Sequence, residues 1–277
     1  MCIGRSSPLD GVFIDNLGDC KVIEIRHLSD EMKDKIKNEL QIICYGEYAL
    51  SSCSKYYSLN ETIREFNIRI PDDENKKTGI IGELLLNVVI RTIGDMNIVS
   101  PLFNLEERSF KKGFDIIAMR RFKKGFDVTA LDDNNLWFIE SKAGRVNGSQ
   151  DATQKISERV GEAKRCLERR LNEDSSQLWT NATNSVSRYL DYRDEKQTVV
   201  NIVEGASNSG TSLDKNVVLG GTAFCPFSSK INRQKILDIH NTIKNSGIFS
   251  KLQIITIQKQ TMEAVIDFLI DLENGDE

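Results

Sequence analysis

Apolar segments of strand length alternate with amphipathic segments of helical length through the second half of this chain. Strand composition marks residues 136–143 (LWFIESKA), 198–203, 216–224 (NVVLGGTAF) and 252–257. Apolar residues recur at helical spacing over residues 151–171, 229–246 and 261–272. This alternation predicts an α/β fold in which a mixed central sheet is flanked by helices.

The beginning of the chain has the pattern of a smaller α+β unit. Residues 10–15 and 20–26 have strand composition, and Ser29 or Asp30 can cap a helix over residues 31–44. These elements hold no cluster of metal-ligating residues. We therefore expect them to contact a partner protein or to form a covering layer.

A polar segment follows this unit. Residues 71–77 (PDDENKK) have the composition of a linker. This predicts an N-terminal α+β extension at residues 1–74, which is the candidate partner interface, and the main domain at residues 75–277.

The composition is that of a globular protein, with 39% hydrophobic and 28% charged residues. No apolar run approaches the roughly 18–20 residues that a membrane span needs. The segment MCIGRSSPLDG has no apolar stretch of the kind found in signal peptides. We therefore expect a cytoplasmic protein without membrane contact.

The cysteines and histidines exclude several kinds of site. Six cysteines occur without a CxxC pair, and the two histidines, His27 and His240, are far apart in sequence. A structural zinc site is therefore improbable, and a Ser-His-Asp or Cys-His arrangement is disfavoured. We expect any catalysis to depend on carboxylates, lysine and a hard metal ion.

One predicted helix, over residues 79–93, is apolar on nearly every side, which indicates burial. Its polar residues Glu83, Asn87 and Arg91 are spaced at i, i+4 and i+8 and therefore share one face. A buried helix with such a face needs a polar group opposite it.

The most specific local pattern is Glu140-Ser141-Lys142 at the end of an apolar strand. Alternate side chains of a strand share a face, so Glu140 and Lys142 point the same way. A hairpin between residues 126–131 and 136–143, turning at 132–135, would place Asp127 opposite Glu140. Two facing carboxylates favour a cation between them, and oxygen ligands suit Mg²⁺ or Mn²⁺.

A repeat leaves a second aspartate open as the metal ligand. The motif KKGFD occurs at residues 111–115 and 123–127, and Asp115 precedes the strand-like residues 116–119. The hairpin register favours Asp127. Asp115 is kept as the alternative, as a second acidic ligand or as a turn residue.

A basic stretch lies beside these acidic residues. Since the net charge is −4, any DNA contact must come from a local patch rather than from the whole molecule. Residues 108–124 form such a patch or a solvated charged loop. Its candidate DNA-binding residues are Lys111, Lys112, Arg120, Arg121, Lys123 and Lys124.

The order of these motifs resembles the PD-(D/E)xK nuclease superfamily, in which a helix bearing Glu precedes an Asp and then Glu-x-Lys. More narrowly, the chain resembles HamA, the nuclease subunit of Hachiman antiphage systems. The resemblance lies in GELLLN, KGFD, LWFIESKAG and GGTAF and covers roughly residues 75–260. It implies DNA as substrate and a partner helicase, HamB.

The resemblance also implies roles for individual residues. Asp127, Glu140 and the Ser141 backbone carbonyl would hold Mg²⁺ or Mn²⁺. Lys142 would orient the attacking water. Glu83 would bind a metal-ligated water or a second metal.

Two other functions remain open. A stand-alone restriction-type endonuclease is disfavoured because no helix-turn-helix or zinc-finger pattern is present. A catalytically inert DNA- or partner-binding subunit on the same fold is disfavoured by the intact set of acids and lysine. Gly220-Gly221 is not followed by GK[ST], so we expect no nucleotide to bind this chain.

Overall fold

The computed structural model of this protein describes residues 4–101, 114–120, 135–173 and 176–275. Within these residues the strands form one mixed eight-stranded sheet. They are β1 (Gly4–Leu9), β2 (Val12–Leu17), β3 (Cys20–Ile25), β4 (Met96–Ile98), β5 (Ile116–Arg120), β6 (Leu136–Arg145), β7 (Asn216–Phe224) and β8 (Lys251–Lys259).

Helices cover both faces of this sheet. They are α1 (Asp30–Tyr45), α2 (Tyr48–Ser51), α3 (Leu59–Ile68), α4 (Glu74–Ile93), α5 (Ala152–Asn172), α6 (Ser176–Tyr189), α7 (Arg193–Ser207), α8 (Arg233–Asn245) and α9 (Glu263–Gly275). In the parts of the chain that the structure describes, no helix is long and apolar enough to cross a membrane. The predicted α/β class with a mixed sheet is confirmed.

The sheet order is β1-β2-β3-β8-β7-β6-β5-β4. Strands β3, β8, β7 and β6 are parallel, and the outer pairs on either side are antiparallel. Every residue of β7 is buried, as expected for a central parallel strand covered on both faces.

Side chains that alternate along the central strands pack into two apolar cores, one on each face of the sheet. Ile139 packs with α4 in one core, and Phe138 packs with α5 in the other. Helix α5 begins at a capping box formed by Asp151 and Gln154. The two helices therefore lie on opposite faces of β6, the strand that carries the Glu-x-Lys motif.

The N-terminal strands continue the central sheet, because β3 pairs in parallel with β8. The predicted cap of α1 is confirmed, since Ser29 accepts a hydrogen bond from the backbone N–H of Met32. The division of the chain at residues 74 and 75 stays a prediction. Residues 74–77 of the predicted linker form the first turn of α4, which Asp73 caps.

The predicted strand at residues 198–203 is wrong, because these residues lie within α7. Val199, Val203 and Ala206 are buried on one side of that helix. Their i, i+4, i+7 spacing outweighs the β-type composition of the segment.

The predicted hairpin register is also wrong. Phe138 of β6 pairs with Ile117 of β5 on one side and with Val217 of β7 on the other. Residues 116–119 are all buried, and a continuous apolar run suits a strand covered on both faces. Asp127 lies outside the described residues, and the observed pairing of β6 with β5 and β7 does not favour it over Asp115.

Candidate active site

The Glu-x-Lys motif lies where β6 passes from the core to the surface. Residues 136–141 are buried, whereas residues 142–145 are partly exposed. Glu140 is completely buried, at 0% exposure. It shares the α5 face of the strand with Phe138 and Lys142, so a substrate at the surface can approach this end of the motif.

Cations contact both carboxylate oxygens of Glu140. Lys142 Nζ lies 2.6 Å from Glu140 Oε1, and Arg170 Nη1 lies 2.7 Å from Oε2. The Lys142 ammonium also donates to the Ser141 carbonyl oxygen at 3.0 Å. These charged hydrogen bonds compensate for the burial of the carboxylate.

Asp115 joins this cluster from the residue before β5. Since Ile116 pairs with Ile139, Asp115 and Glu140 are the next residues along the two antiparallel strands. Asp115 Oδ2 accepts a hydrogen bond from the backbone N–H of Ser141 at 2.9 Å. It also lies 3.8 Å from Lys142 Nζ.

Helix α4 brings Glu83 to the same cluster. Gly82 lies against β6 so closely that an added Cβ would overlap the Cβ of Ala143. Glu83, the next residue, is half-buried. Burial and then the charge of Asp115 raise the pKa of Glu83 well above its usual value.

The charges at this site act on each other. Burial and then the Asp115 carboxylate raise the pKa of Glu140, while Lys142 and Arg170 act in the opposite direction. Burial lowers the pKa of Lys142, but Asp115 and Glu140 outweigh it, so the pKa is raised overall. The lysine therefore stays an ammonium at neutral pH.

Two residues of α5 complete the site, and sequence reasoning did not assign them to it. Arg170 contacts Glu140 and Asp115, and the Cys166 thiol hydrogen-bonds to Glu140. Burial, followed by the Glu140 charge, raises the pKa of Cys166 to about 11. The sequence feature that could have identified these two residues is their i, i+4 spacing beside the apolar stripe of α5, which places them on one face of the helix.

The oxygen donors suit a hard divalent ion by their chemistry. The donors are the carboxylates of Asp115, Glu140 and Glu83 together with the Ser141 carbonyl. Among the described residues, no three acidic, histidine or cysteine side chains are grouped to hold a metal ion as they stand. The closest oxygens instead contact Lys142 and Arg170, so a metal ion must replace one of these contacts.

The predicted basic patch lies largely outside the described residues, which include Arg120 alone of its candidates. Arg120 ends β5, five residues from Asp115, or about 16 Å along the strand. Its guanidinium lies over the ring of Trp137. The candidates outside the described residues are Lys111, Lys112, Arg121, Lys123 and Lys124.

Other cations lie closer to the exposed end of β6. A Cβ added to Gly144 would lie 3.0 Å from Lys155 Cδ and 3.4 Å from Arg159 Cδ. Both side chains belong to α5, the helix that also carries Arg170. They form ion pairs with Glu158 and Glu162.

Comparison with known proteins identifies one family. The family model described as HamA matches residues 9–272. No curated protein and no solved structure matches the chain.

Proposed function

Because the chain belongs to the HamA family, we propose that it is a metal-dependent DNA endonuclease of an antiphage defence system. The observation that carries this proposal is the convergence of Asp115 and Glu140 with Lys142 at the exposed end of a buried strand. Acidic oxygens that can bind a metal ion, together with one ammonium group, are the minimal set of groups for metal-dependent phosphodiester hydrolysis.

The acidic residues would hold Mg²⁺ or Mn²⁺. Asp115, Glu140 and the Ser141 carbonyl are the proposed ligands, and Glu83 would bind a metal-ligated water or a second ion. A bound ion would supply Lewis acidity for the phosphate and lower the pKa of water. Asp115 replaces Asp127 in this proposal, since Asp115 is hydrogen-bonded to the motif itself.

Lys142 would stabilise charge on the reacting phosphate. Its ammonium is held by Glu140 and by the Ser141 carbonyl, and 22% of its side chain is exposed. A fixed cation beside developing negative charge lowers the energy of a transition state. The same ammonium can orient the attacking water.

DNA would approach along the exposed end of β6. Lys155 and Arg159 of α5 lie against this end and can contact phosphates. The basic residues of segment 108–124 stay candidates for the same role. Contacts of this kind predict DNA binding that weakens as salt concentration rises.

We further propose a helicase as the protein partner, contacted through residues 1–74. Large apolar side chains are exposed there, among them Leu50 at 57%, Tyr56 at 63% and Ile68 at 64%. Exposed apolar groups that cluster in one patch are typical of surfaces that bind another protein. The helicase would supply the nucleotide-driven motion for which this chain has no motif.

The direct test of the activity uses purified protein, plasmid DNA and either Mg²⁺ or Mn²⁺, with and without the cognate helicase. Cleavage that requires the metal and disappears in Glu140→Gln supports the proposal. Site-specific cutting without the helicase would instead favour a stand-alone restriction enzyme. Absence of cleavage with metal and helicase present would favour an inert subunit.

A further inference from the structure

Arg170 occupies the place between the two acidic residues of the candidate site. Its Nη1 atom lies 2.7 Å from Glu140 Oε2 and 3.5 Å from Asp115 Oδ1. One guanidinium nitrogen therefore forms ion pairs with both carboxylates. These are the same groups that the proposed function assigns to a divalent ion.

The arginine and a metal ion cannot use these oxygens in the same arrangement. A magnesium ion binds carboxylate oxygen at about 2.0–2.1 Å. An ion at that distance from both carboxylates would be in close contact with the guanidinium, and the two positive charges would repel each other. One of the two cations must withdraw.

The Arg170 side chain can leave the two carboxylates without disturbing the fold. It lies in the last turn of α5, and 24% of its side chain is exposed. Its neighbours Leu167 and Leu171 are fully buried and hold the helix in place. The long side chain can therefore turn toward solvent while the backbone stays fixed. Lys142, in contrast, has a second anchor in the Ser141 carbonyl of its own strand, and the other lone pair of that oxygen can still bind the ion.

We propose that Arg170 is a positioning residue that competes with the divalent ion for Glu140 and Asp115. It holds the two carboxylates in order in the metal-free protein and is displaced when the ion binds. The strength of this competition sets the metal concentration at which the site becomes loaded. This inference rests on the proposed metal site.

The test is calorimetric titration of Mn²⁺ into the wild-type protein and into Arg170→Gln, Arg170→Lys and Arg169→Gln. Arg170→Gln removes the competing charge, so its apparent Kd should be lower by about tenfold. Arg170→Lys keeps the charge and should restore weaker binding. Arg169 is 67% exposed and pairs with Glu173, so Arg169→Gln is the matched control and should match wild type.

An unchanged or weaker affinity of Arg170→Gln for Mn²⁺ would overturn the proposal that Arg170 competes with the ion. A purely structural role would lower the melting temperature without tightening Mn²⁺ binding. If Arg170→Gln does not fold, the arginine Nε–H NMR signals of the wild-type protein replace it. The Arg170 signal, identified by its loss in Arg170→Lys, should shift on saturation with Mg²⁺, and an unmoved signal would overturn the proposal.

Failure of this inference can be told apart from failure of the nuclease proposal. If wild type binds Mn²⁺ and Glu140→Gln does not, the metal site stands whatever Arg170→Gln shows. If wild type neither binds Mn²⁺ nor cleaves DNA, the nuclease proposal fails, and the competition fails with it.

Discussion

Asp115 accepts a hydrogen bond from the backbone N–H of Ser141 at 2.9 Å, which ties its carboxylate to the centre of the Glu-x-Lys motif. The bond joins two antiparallel strands at the point where their pairing ends. It fixes the distance between Asp115 and Glu140 through the backbone. The acidic cluster therefore depends on how β5 and β6 are aligned.

The contact of α4 with β6 should control the position of Glu83. Gly82→Ala should destabilise the protein by about 1–3 kcal/mol, because its Cβ overlaps Ala143. Gly79→Ala meets no atom within 4 Å and should be neutral or stabilising by up to about 1 kcal/mol. Urea unfolding measures both. If the contact is the cause, adding Ala143→Gly should restore stability to Gly82→Ala.

Removing Lys142 should leave the buried Glu140 with less compensation. Lys142→Met should abolish cleavage and, in metal-free protein, cost about 1–3 kcal/mol, because Arg170 still pairs with Glu140. The double variant Lys142→Met/Glu140→Gln should recover part of that stability, because the buried charge of Glu140 is then absent. Lys164→Met, which affects the helical pair with Glu168, is the control. Cleavage retained by folded Lys142→Met would contradict the assigned role.

The stability of the metal-free protein should depend on the pH through Glu83 and Glu140. Burial raises the pKa of both above the ordinary value of 4.5. A carboxyl group with a raised folded-state pKa stabilises the fold fully below its unfolded pKa, and this contribution is lost as pH rises through the folded pKa. The contribution of these two groups to the free energy of unfolding should therefore fall as pH rises from about 4.5.

Glu83→Gln should make the free energy of unfolding fall less with rising pH. Glu204→Gln, at an exposed position of α7, should leave this pH dependence unchanged. Denaturant unfolding at a series of pH values gives the comparison. The same pH dependence in all three proteins would show that Glu83 does not contribute. Mn²⁺ binding should follow the opposite trend and tighten as pH rises, since the ion needs ionised carboxylates.

The exposed apolar side chains of residues 1–74 should contribute to helicase binding. Leu50→Ser and Tyr56→Ser should weaken binding of the cognate helicase in a pull-down while leaving the fold intact. Leu213→Ser and Tyr192→Ser change residues with 62% and 75% exposure outside this segment and should bind normally. Equal binding by all four variants would place the partner surface elsewhere. Deletion of the segment is a poorer test, because β3 pairs with β8.

Patterns that involve one element were predictable from the sequence. The bounds of β7 were predicted at residues 216–224, because a largely apolar run of this length is typical of a buried strand. The shared face of Glu140 and Lys142 follows from strand geometry alone, and the structure bears it out through their contact. The polar side of α4 likewise predicted that Glu83 faces polar groups, and in the structure it lies near the charges of Asp115 and Lys142.

Relationships between distant elements were harder to predict. The alignment of β6 depended on a choice between two segments, and burial on both faces favoured residues 116–119 over residues 126–131. Arg170 belongs to the site only because α5 crosses the face of β6 that carries Glu140. Its sequence neighbourhood has the pattern of an ordinary amphipathic helix.

The most direct measurement is DNA cleavage by Asp115→Asn and Asp127→Asn, assayed beside wild type across Mg²⁺ and Mn²⁺ titrations with the cognate helicase present. Asparagine at position 115 can still accept the Ser141 hydrogen bond, so the fold should persist while the metal-binding charge is lost. The prediction is that wild type cuts DNA and that Asp115→Asn does not at any practical metal concentration. Cleavage by Asp115→Asn at the wild-type rate, with Asp127→Asn inactive, would contradict it.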